Sequence, residues 1–209
     1  MTIGGALSSN VHGRGLNYQP IVQDVDSFTL LDASGATMVC SRDQNPEVFR
    51  LGIGGYGLFG LIHTVTLRLR PRQKLMREVK VVEVDDVMPS FQQKIHEGHL
   101  YGDFQYMTDD KSNDFLRKGI LSCYRPVSFA TPIPENQLGL TVDDWMNLYY
   151  LAHVDKKEAY DRYVHHYLQS NEQIYWSDDF QFSPYLNNAG ELLHQRLGAK
   201  EFSSLMITE

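Results

Sequence analysis

Gly55, Tyr56, Gly57, Leu58, Phe59 and Gly60 set three glycines at the G-x-G-x-x-G spacing. In a Rossmann unit that spacing closes a tight turn and opens a helix whose N-terminus receives phosphate. A helix would have to follow Gly60, and the next residues forbid one. From Leu61 to Arg70, the polar Thr64, Thr66, Arg68 and Arg70 alternate with Val65, Leu67 and Leu69. Period-two alternation rich in β-branched residues predicts a half-buried strand over 61–70. The Rossmann reading fails. The glycines instead let a loop backbone approach something flat or anionic before the chain enters a strand.

A second glycine segment opens the chain. Between Thr2 and Gly15 stand Gly4, Gly5 and Gly13, with Ser8, Ser9, Asn10 and His12 among them. Such a loop offers backbone N–H donors and small polar groups to a phosphate-bearing ligand. Either segment alone also reads as a set of tight turns. The two in order constrain the chain much more.

The run T-I-G-G-A-L-S-S-N-V-H-G-R-G, a strand hairpin, and then L-G-I-G-G-Y-G-L-F-G-L-I-H-T-V-T-L-R-L-R-P resemble one family. They are similar to the second half of the flavin domain of the vanillyl-alcohol oxidase (p-cresol methylhydroxylase, PCMH) family. That family includes aldonolactone and alditol oxidases, cytokinin dehydrogenases and other FAD-linked oxidases. The resemblance implies an α+β chain. Residues 1–72 would be the second half of a PCMH-type FAD-binding domain. Residues 73–209, which match more loosely, would begin a substrate domain of antiparallel sheet plus helices.

The same resemblance implies that parts are missing. The family's first pyrophosphate-binding loop, which often carries the covalent flavin attachment, precedes the matched region. Leu205 to Glu209 reads as a strand that stops short. The chain is therefore expected to be an internal piece of a larger flavoprotein. It would associate with a separate N-terminal half or with itself.

The implied cofactor is FAD, whose pyrophosphate wants N–H donors and whose ring wants close backbone without protruding side chains. Gly4, Gly5, Gly13, Gly55, Gly57 and Gly60 lack the Cβ atoms that would intrude. Ser8, Ser9 and Asn10 can hydrogen-bond phosphate or ribitol oxygens. By resemblance, the main chain at Leu61 and Ile62 lies against the ligand. His12 has two readings, one beside the flavin and one hydrogen-bonded to backbone within its own loop. The implied activity is hydride transfer from an alcohol-like or C–H small-molecule substrate to flavin. Dioxygen or another acceptor would take the electrons.

In the aldonolactone and alditol oxidase branch a substrate-domain Glu is followed by a short apolar stretch and an Arg. Glu209 matches that Glu, although no matching Arg follows it. Gln105 and Tyr124, on candidate strands, are further substrate candidates. Two other readings stay open: a catalytically inactive fragment that does not bind flavin, and an FAD domain of the molybdenum-hydroxylase or cell-wall precursor reductase type. The continuous run from Leu51 to Pro71 favours the oxidase family over both.

A net charge of −7 over 209 residues lacks the basic footprint of a nucleic-acid binder. No apolar run approaches the roughly 20 residues that span a bilayer. Cys40 and Cys123 are isolated, which suits thiols of a reducing, cytoplasmic compartment rather than a disulfide framework.

Along the chain, Asp26–Leu31 and Ala36–Cys40 flank a short Gly-containing turn and predict a hairpin. Asn45, Pro46 and Glu47 predict a short helix with Asn45 as cap, stopped by Gly52. Leu75–Val84 predicts a strand with Arg77, Glu78, Lys80 and Glu83 exposed. A helix from Asp85 and Asp86 to about Glu97, strands at Phe104–Tyr106 and Gly119–Tyr124, and short helix 191–197 follow. Tyr160, Tyr163, Val164, Tyr167 and Leu168 mark an amphipathic helix, read as core packing rather than a stacking platform. The sum is an antiparallel sheet with helices on one face. His96 with His99, and His165 with His166, lack a further ligand at zinc spacing, so no metal site is expected. The paired aspartates read as helix caps and turns.

Overall fold

The computed structural model describes residues 2–179 and 189–198. The chain divides into two compact units, Met1–Pro71 and Arg72–Glu209. The predicted strand at 205–209, with Glu209, lies outside the described residues.

The first unit opens on helix α1 (Ile3–Ser8) rather than on the loop its glycines predict. Thr2 caps it by accepting a hydrogen bond from Gly5 N at 3.1 Å. Burial of Ala6 and Leu7 offsets the entropic cost of two helical glycines, about 1 kcal/mol each. Strands β1 (Val25–Leu31) and β2 (Thr37–Ser41) form the antiparallel hairpin. Asp32 closes its turn, accepting from the N–H groups of Ser34 at 2.8 Å and Ala36 at 3.0 Å. These bonds and that of the Ser34 hydroxyl, the largest influence, hold the Asp32 carboxyl below the usual range.

Helix α2 (Pro46–Gly52) starts after Asn45, as the Asn-Pro signal predicts, but Asn45 does not cap it. Asn45 is left-handed, with φ +48, and its Nδ2 donates to the Val39 carbonyl at 2.8 Å. Strand β3 (Leu61–Leu67) pairs with β1, which gives the sheet order β2-β1-β3. It ends three residues earlier than the alternation predicts, leaving Leu69 84% exposed. Leu7, Val25, Phe28, Leu30, Cys40 and Phe49 form the core. The rings of Phe28 and Phe49 stack there at 5.3 Å.

The second unit is built on a four-stranded antiparallel sheet. Its strands are β4 (Lys74–Glu83), β5 (Tyr101–Tyr106), β6 (Lys118–Val127) and β7 (Ile174–Trp176), ordered β5-β6-β4-β7. Helix α3 (Val87–His96) follows β4, α4 (Val142–Val154) and α5 (Lys156–Gln169) precede β7, and α6 (Ala189–Leu197) comes last. Neither α4 nor β7 is evident in the apolar pattern. Strand β7 is only three residues long. The apolar residues of α4 are spread around its circumference, so it lacks the clear stripe seen in α5.

Helices cover both faces of this sheet, not one. Adjacent residues of a strand point to opposite faces, and on β4 those residues are Arg77 and Glu78. Arg77 bonds Ser170, which ends α5, while Glu78 bonds Lys94 of α3. Arg77 is therefore buried, contrary to the exposed position that its charge suggests. Central strand β6 is buried continuously from Gly119 to Tyr124, as a strand covered on both faces should be.

Candidate functional site

In the first unit, α1 and the start of β3 together line an open cleft of about 730 Å³. The two glycine segments are bonded directly: Gly54 N donates to Leu7 O and Tyr56 N to Ser8 O, each at 2.9 Å. Helix α1 can lie on β3 because Gly4 has no side chain; a Cβ there would stand 3.0 Å from Ile62 O. Gly60 is constrained more severely. Its φ is +137, and a Cβ would meet Leu31 O at 2.5 Å, so only glycine lets β3 begin beside the end of β1.

Seven of the twelve residues singled out from sequence line this cleft: Gly4, Gly5, Ser8, Gly57, Gly60, Leu61 and Ile62. The other five, Ser9, Asn10, His12, Gly13 and Gly55, are not among its lining residues. Ser9 is the C-cap of α1. Asn10 takes a left-handed turn, with φ +46. His12 Nδ1 lies 3.3 Å from the Gly13 carbonyl oxygen, the local backbone contact that was one of its two readings. Gly55 serves packing, since a Cβ would stand 2.2 Å from Leu51 O.

The cleft also contains Thr2, Ile3, His63 and Val65. His63 owes its place to a β-bulge. Thr29 pairs with Thr64 and the next residue, Leu30, pairs with Ile62, so His63 is the extra residue of β3. A bulge re-aims side chains and shifts the alternation by one, which explains why Ile62 and Val65, three apart, both pack against the core. Strict period-two reading from Leu61 would put Val65 on the face opposite Ile62. The sequence offered only a histidine three residues after Gly60, and no signal of the bulge itself.

No protein-family model matches the chain. Sequence comparison finds relatives of two kinds. Cytokinin dehydrogenase 4 of Oryza sativa subsp. japonica is 29% identical over 112 residues, 53% of this chain and 18% of that protein. L-gulonolactone oxidase of Mus musculus is 33% identical over 76 residues, 36% and 17% of the two chains. The mitochondrial L-galactono-1,4-lactone dehydrogenase of Brassica oleracea is 32% identical over 85 residues, 41% and 14%. The relatives are oxidases and dehydrogenases. Each match spans less than a fifth of the relative's length.

In the second unit the structure brings together groups that sequence spacing keeps apart. Ligand-type atoms of Glu78, Glu97 and His99 lie within 4.8 Å of one another. Sequence inspection of the histidines missed this because Glu78 comes from β4, far along the chain. Lys94 already supplies a cation there, its Nζ 2.6 Å from Glu78 Oε2 and 2.7 Å from Glu97 Oε2. Arg125 Nε donates to the other Glu78 oxygen at 2.8 Å. Burial would push the Glu78 carboxyl up; the hydrogen bonds from Lys94 and Arg125 outweigh it and hold the pKa at about 2. The cluster is an ion-pair network pinning α3 to the sheet.

Tyr124 is fully buried, and its hydroxyl accepts from Arg77 Nε at 3.1 Å, so it is a core residue and not a substrate contact. Gln105, near the end of β5, donates from Nε2 to Asp103 Oδ2 at 3.1 Å. Among the described residues, no helix is long and apolar enough to cross a membrane.

Proposed function

We propose that this chain belongs to an FAD-dependent oxidoreductase and that its first unit supplies one wall of the flavin site. The observation that carries this reading is the cleft itself. Two segments some 40 residues apart in sequence, both selected for their glycines, line a single cavity. Names of the relatives support the reaction class, since lactone and cytokinin oxidations both withdraw two electrons and two protons from a small molecule.

The lining fits such a group. Glycine backbone at Gly4, Gly5, Gly57 and Gly60 leaves room for a flat ring to approach the chain. Ser8 adds a hydroxyl for ribitol or phosphate oxygens, and Leu61 and Ile62 an apolar rest for the ring. When bound, FAD would accept a hydride equivalent from an alcohol-like or C–H substrate and pass the electrons to dioxygen or another acceptor. The chain's own residues hold the ring, exclude water through Ile3 and Leu61, and place His63 at the rim. The aldonolactone or alditol type is the finer proposal, with Glu209 as its substrate contact.

FAD fluorescence titration tests the assignment. One wall provides only part of the donors, and each charge-assisted hydrogen bond absent costs roughly 1.5–3 kcal/mol, about ten- to a hundredfold in affinity. The 209-residue chain should purify colourless and quench FAD saturably but weakly, in the range of about 0.1–1 mM. Ile3→Glu and Leu61→Glu, at exposed residues of the lining, should each weaken it at least about tenfold, with circular dichroism unchanged. No saturable quenching by the native chain, or quenching by both variants equal to that of the native chain, would remove the cleft from consideration.

A further inference from the structure

Helix α3 ends in a turn that fixes a buried histidine beside two carboxylates. Gly98 takes a left-handed φ of +85, which turns the chain back, and His99 N donates to the Lys94 carbonyl at 2.9 Å. His99 Nδ1 lies 3.0 Å from the same carbonyl. A carbonyl oxygen only accepts, so Nδ1 carries the proton and the neutral ring has its lone pair on Nε2. The side chain is 1% exposed, and Nε2 has no hydrogen-bond partner. It faces Glu78 Oε2 at 3.2 Å without the alignment of a hydrogen bond.

The two carboxylates are held in the same way. Arg125 Nε donates to Glu78 Oε1 at 2.8 Å, and Gln93 Nε2 donates to Glu97 Oε1 at 2.7 Å. In each of the three residues, one polar atom is fixed by a partner behind it and the other belongs to the cluster. Metal ligands are held like this, an outer contact setting the orientation of each. Glu78 Oε2 and Glu97 Oε2 already share one cation, the Lys94 ammonium, at 2.6 and 2.7 Å. That ammonium leaves His99 Nε2 unpaired, whereas a metal ion would use all three atoms.

We propose that Glu78 Oε2, Glu97 Oε2 and His99 Nε2 bind a zinc ion, which enters by displacing the Lys94 ammonium. Zinc holds nitrogen and carboxylate oxygen at about 2.0–2.2 Å, and a tetrahedral angle then sets two such ligands about 3.3 Å apart. The separation of His99 Nε2 and Glu78 Oε2 already matches that spacing. An imidazole among the ligands favours zinc over magnesium and calcium, which take oxygen ligands. Entry needs only a side-chain rotation. Lys94 stands in the last turn of α3 on a flexible four-carbon stem, and Glu97 is 39% exposed, so turning the ammonium outward opens the carboxylate oxygens to solvent. An ion on Glu78 Oε2 is then within coordinating reach of Nε2, and water takes the fourth position.

Zinc chloride is the probe, titrated calorimetrically into the chelator-treated 209-residue chain at pH 7.5 without FAD. One ion should bind with Kd on the order of 10 µM, because three ligands and a displaced ammonium hold less tightly than a four-ligand site. Lys94→Met removes the competing cation and should tighten binding about tenfold. Glu97→Gln, at an exposed position, and His99→Gln should each weaken it at least about tenfold. Circular dichroism checks the buried His99 variant, and the Glu97 variant decides the matter if that one unfolds. No saturable binding up to about 1 mM zinc, unchanged affinity in Glu97→Gln, or unchanged affinity in Lys94→Met each overturns the proposal. Zinc held by histidines elsewhere on the chain would give the last two results. None of these outcomes bears on the flavin reading, whose variants lie in the first unit.

Discussion

Arg77 Nη1 donates to Ser170 Oγ at 2.7 Å, tying the middle of β4 to the residue that ends α5. Ser170 in turn donates its hydroxyl proton to the Tyr167 carbonyl at 2.9 Å, so both sides of the hydroxyl are used. Arg77 is only 7% exposed, and its guanidinium lies within reach of three tyrosine rings, at 4.7 Å from Tyr167 and Tyr175 and 5.5 Å from Tyr124. A planar cation against aromatic faces suits Arg and not Lys. Arg77→Met should destabilise the second unit by about 2–4 kcal/mol, from lost cation–π contacts and two hydroxyls left without their donor. Arg77→Lys should recover less than half of that. Urea unfolding followed by tyrosine and tryptophan fluorescence measures both; a Met variant as stable as the native chain would show the contacts to be idle.

Glu78 predicts an acid limit to stability. Its carboxyl is held at about 2 in the folded chain, against 4.5 for the free group. A depressed folded pKa means that the stabilisation is present above the unfolded value and drains away as pH falls from about 4.5 toward about 2. Discounted for screening at a quarter-exposed carboxylate, the loss should be about 1–2 kcal/mol. Glu78→Gln should be less stable at pH 7 and should lack this component of the acid limb. Urea midpoints at pH 7 and pH 3 for the two proteins test it, and parallel acid losses would assign the effect to other carboxylates.

Where local chemistry and burial agreed, the sequence was legible. The hairpin, the strand after Gly60 and the α5 stripe all follow from periodicity and turn residues. Besides α4 and β7, three features were not legible, each for a physical reason. Helix α1 forms among glycines because Thr2 caps it and Leu7 is fully buried, a tertiary gain that propensity does not see. Arg77 is buried because tyrosines from β6, α5 and β7 surround it, and no local pattern announces partners so distant. The bulge at His63 depends on register with β1, which a single strand's sequence does not encode. The same limit applies to the cleft. Glycine spacing identified its walls, but Gly55 and Gly57, two residues apart, divide between packing and lining.

The last prediction concerns the rim of that cleft. Tyr56, Leu58 and Leu61 are 78%, 84% and 61% exposed, on the glycine loop and the first residue of β3. Single exposed apolar residues need no explanation, but large ones clustered beside an open cleft mark a surface that other apolar surface will cover. Burying one such side chain is worth about 1.5–3 kcal/mol, and in a symmetric contact both copies contribute theirs. Together they offset an association cost of about 4 kcal/mol or more and leave association at high micromolar concentration. Sedimentation velocity at about 100 µM should therefore show species heavier than the 24.0 kDa monomer. Leu58→Lys should raise the dissociation constant at least about tenfold, since burying the lysine charge replaces a gain with a cost. Leu58 is too exposed for the substitution to disturb folding, and an unchanged far-UV spectrum checks this. A native chain that stays monomeric at that concentration would show that these side chains make no contact of their own.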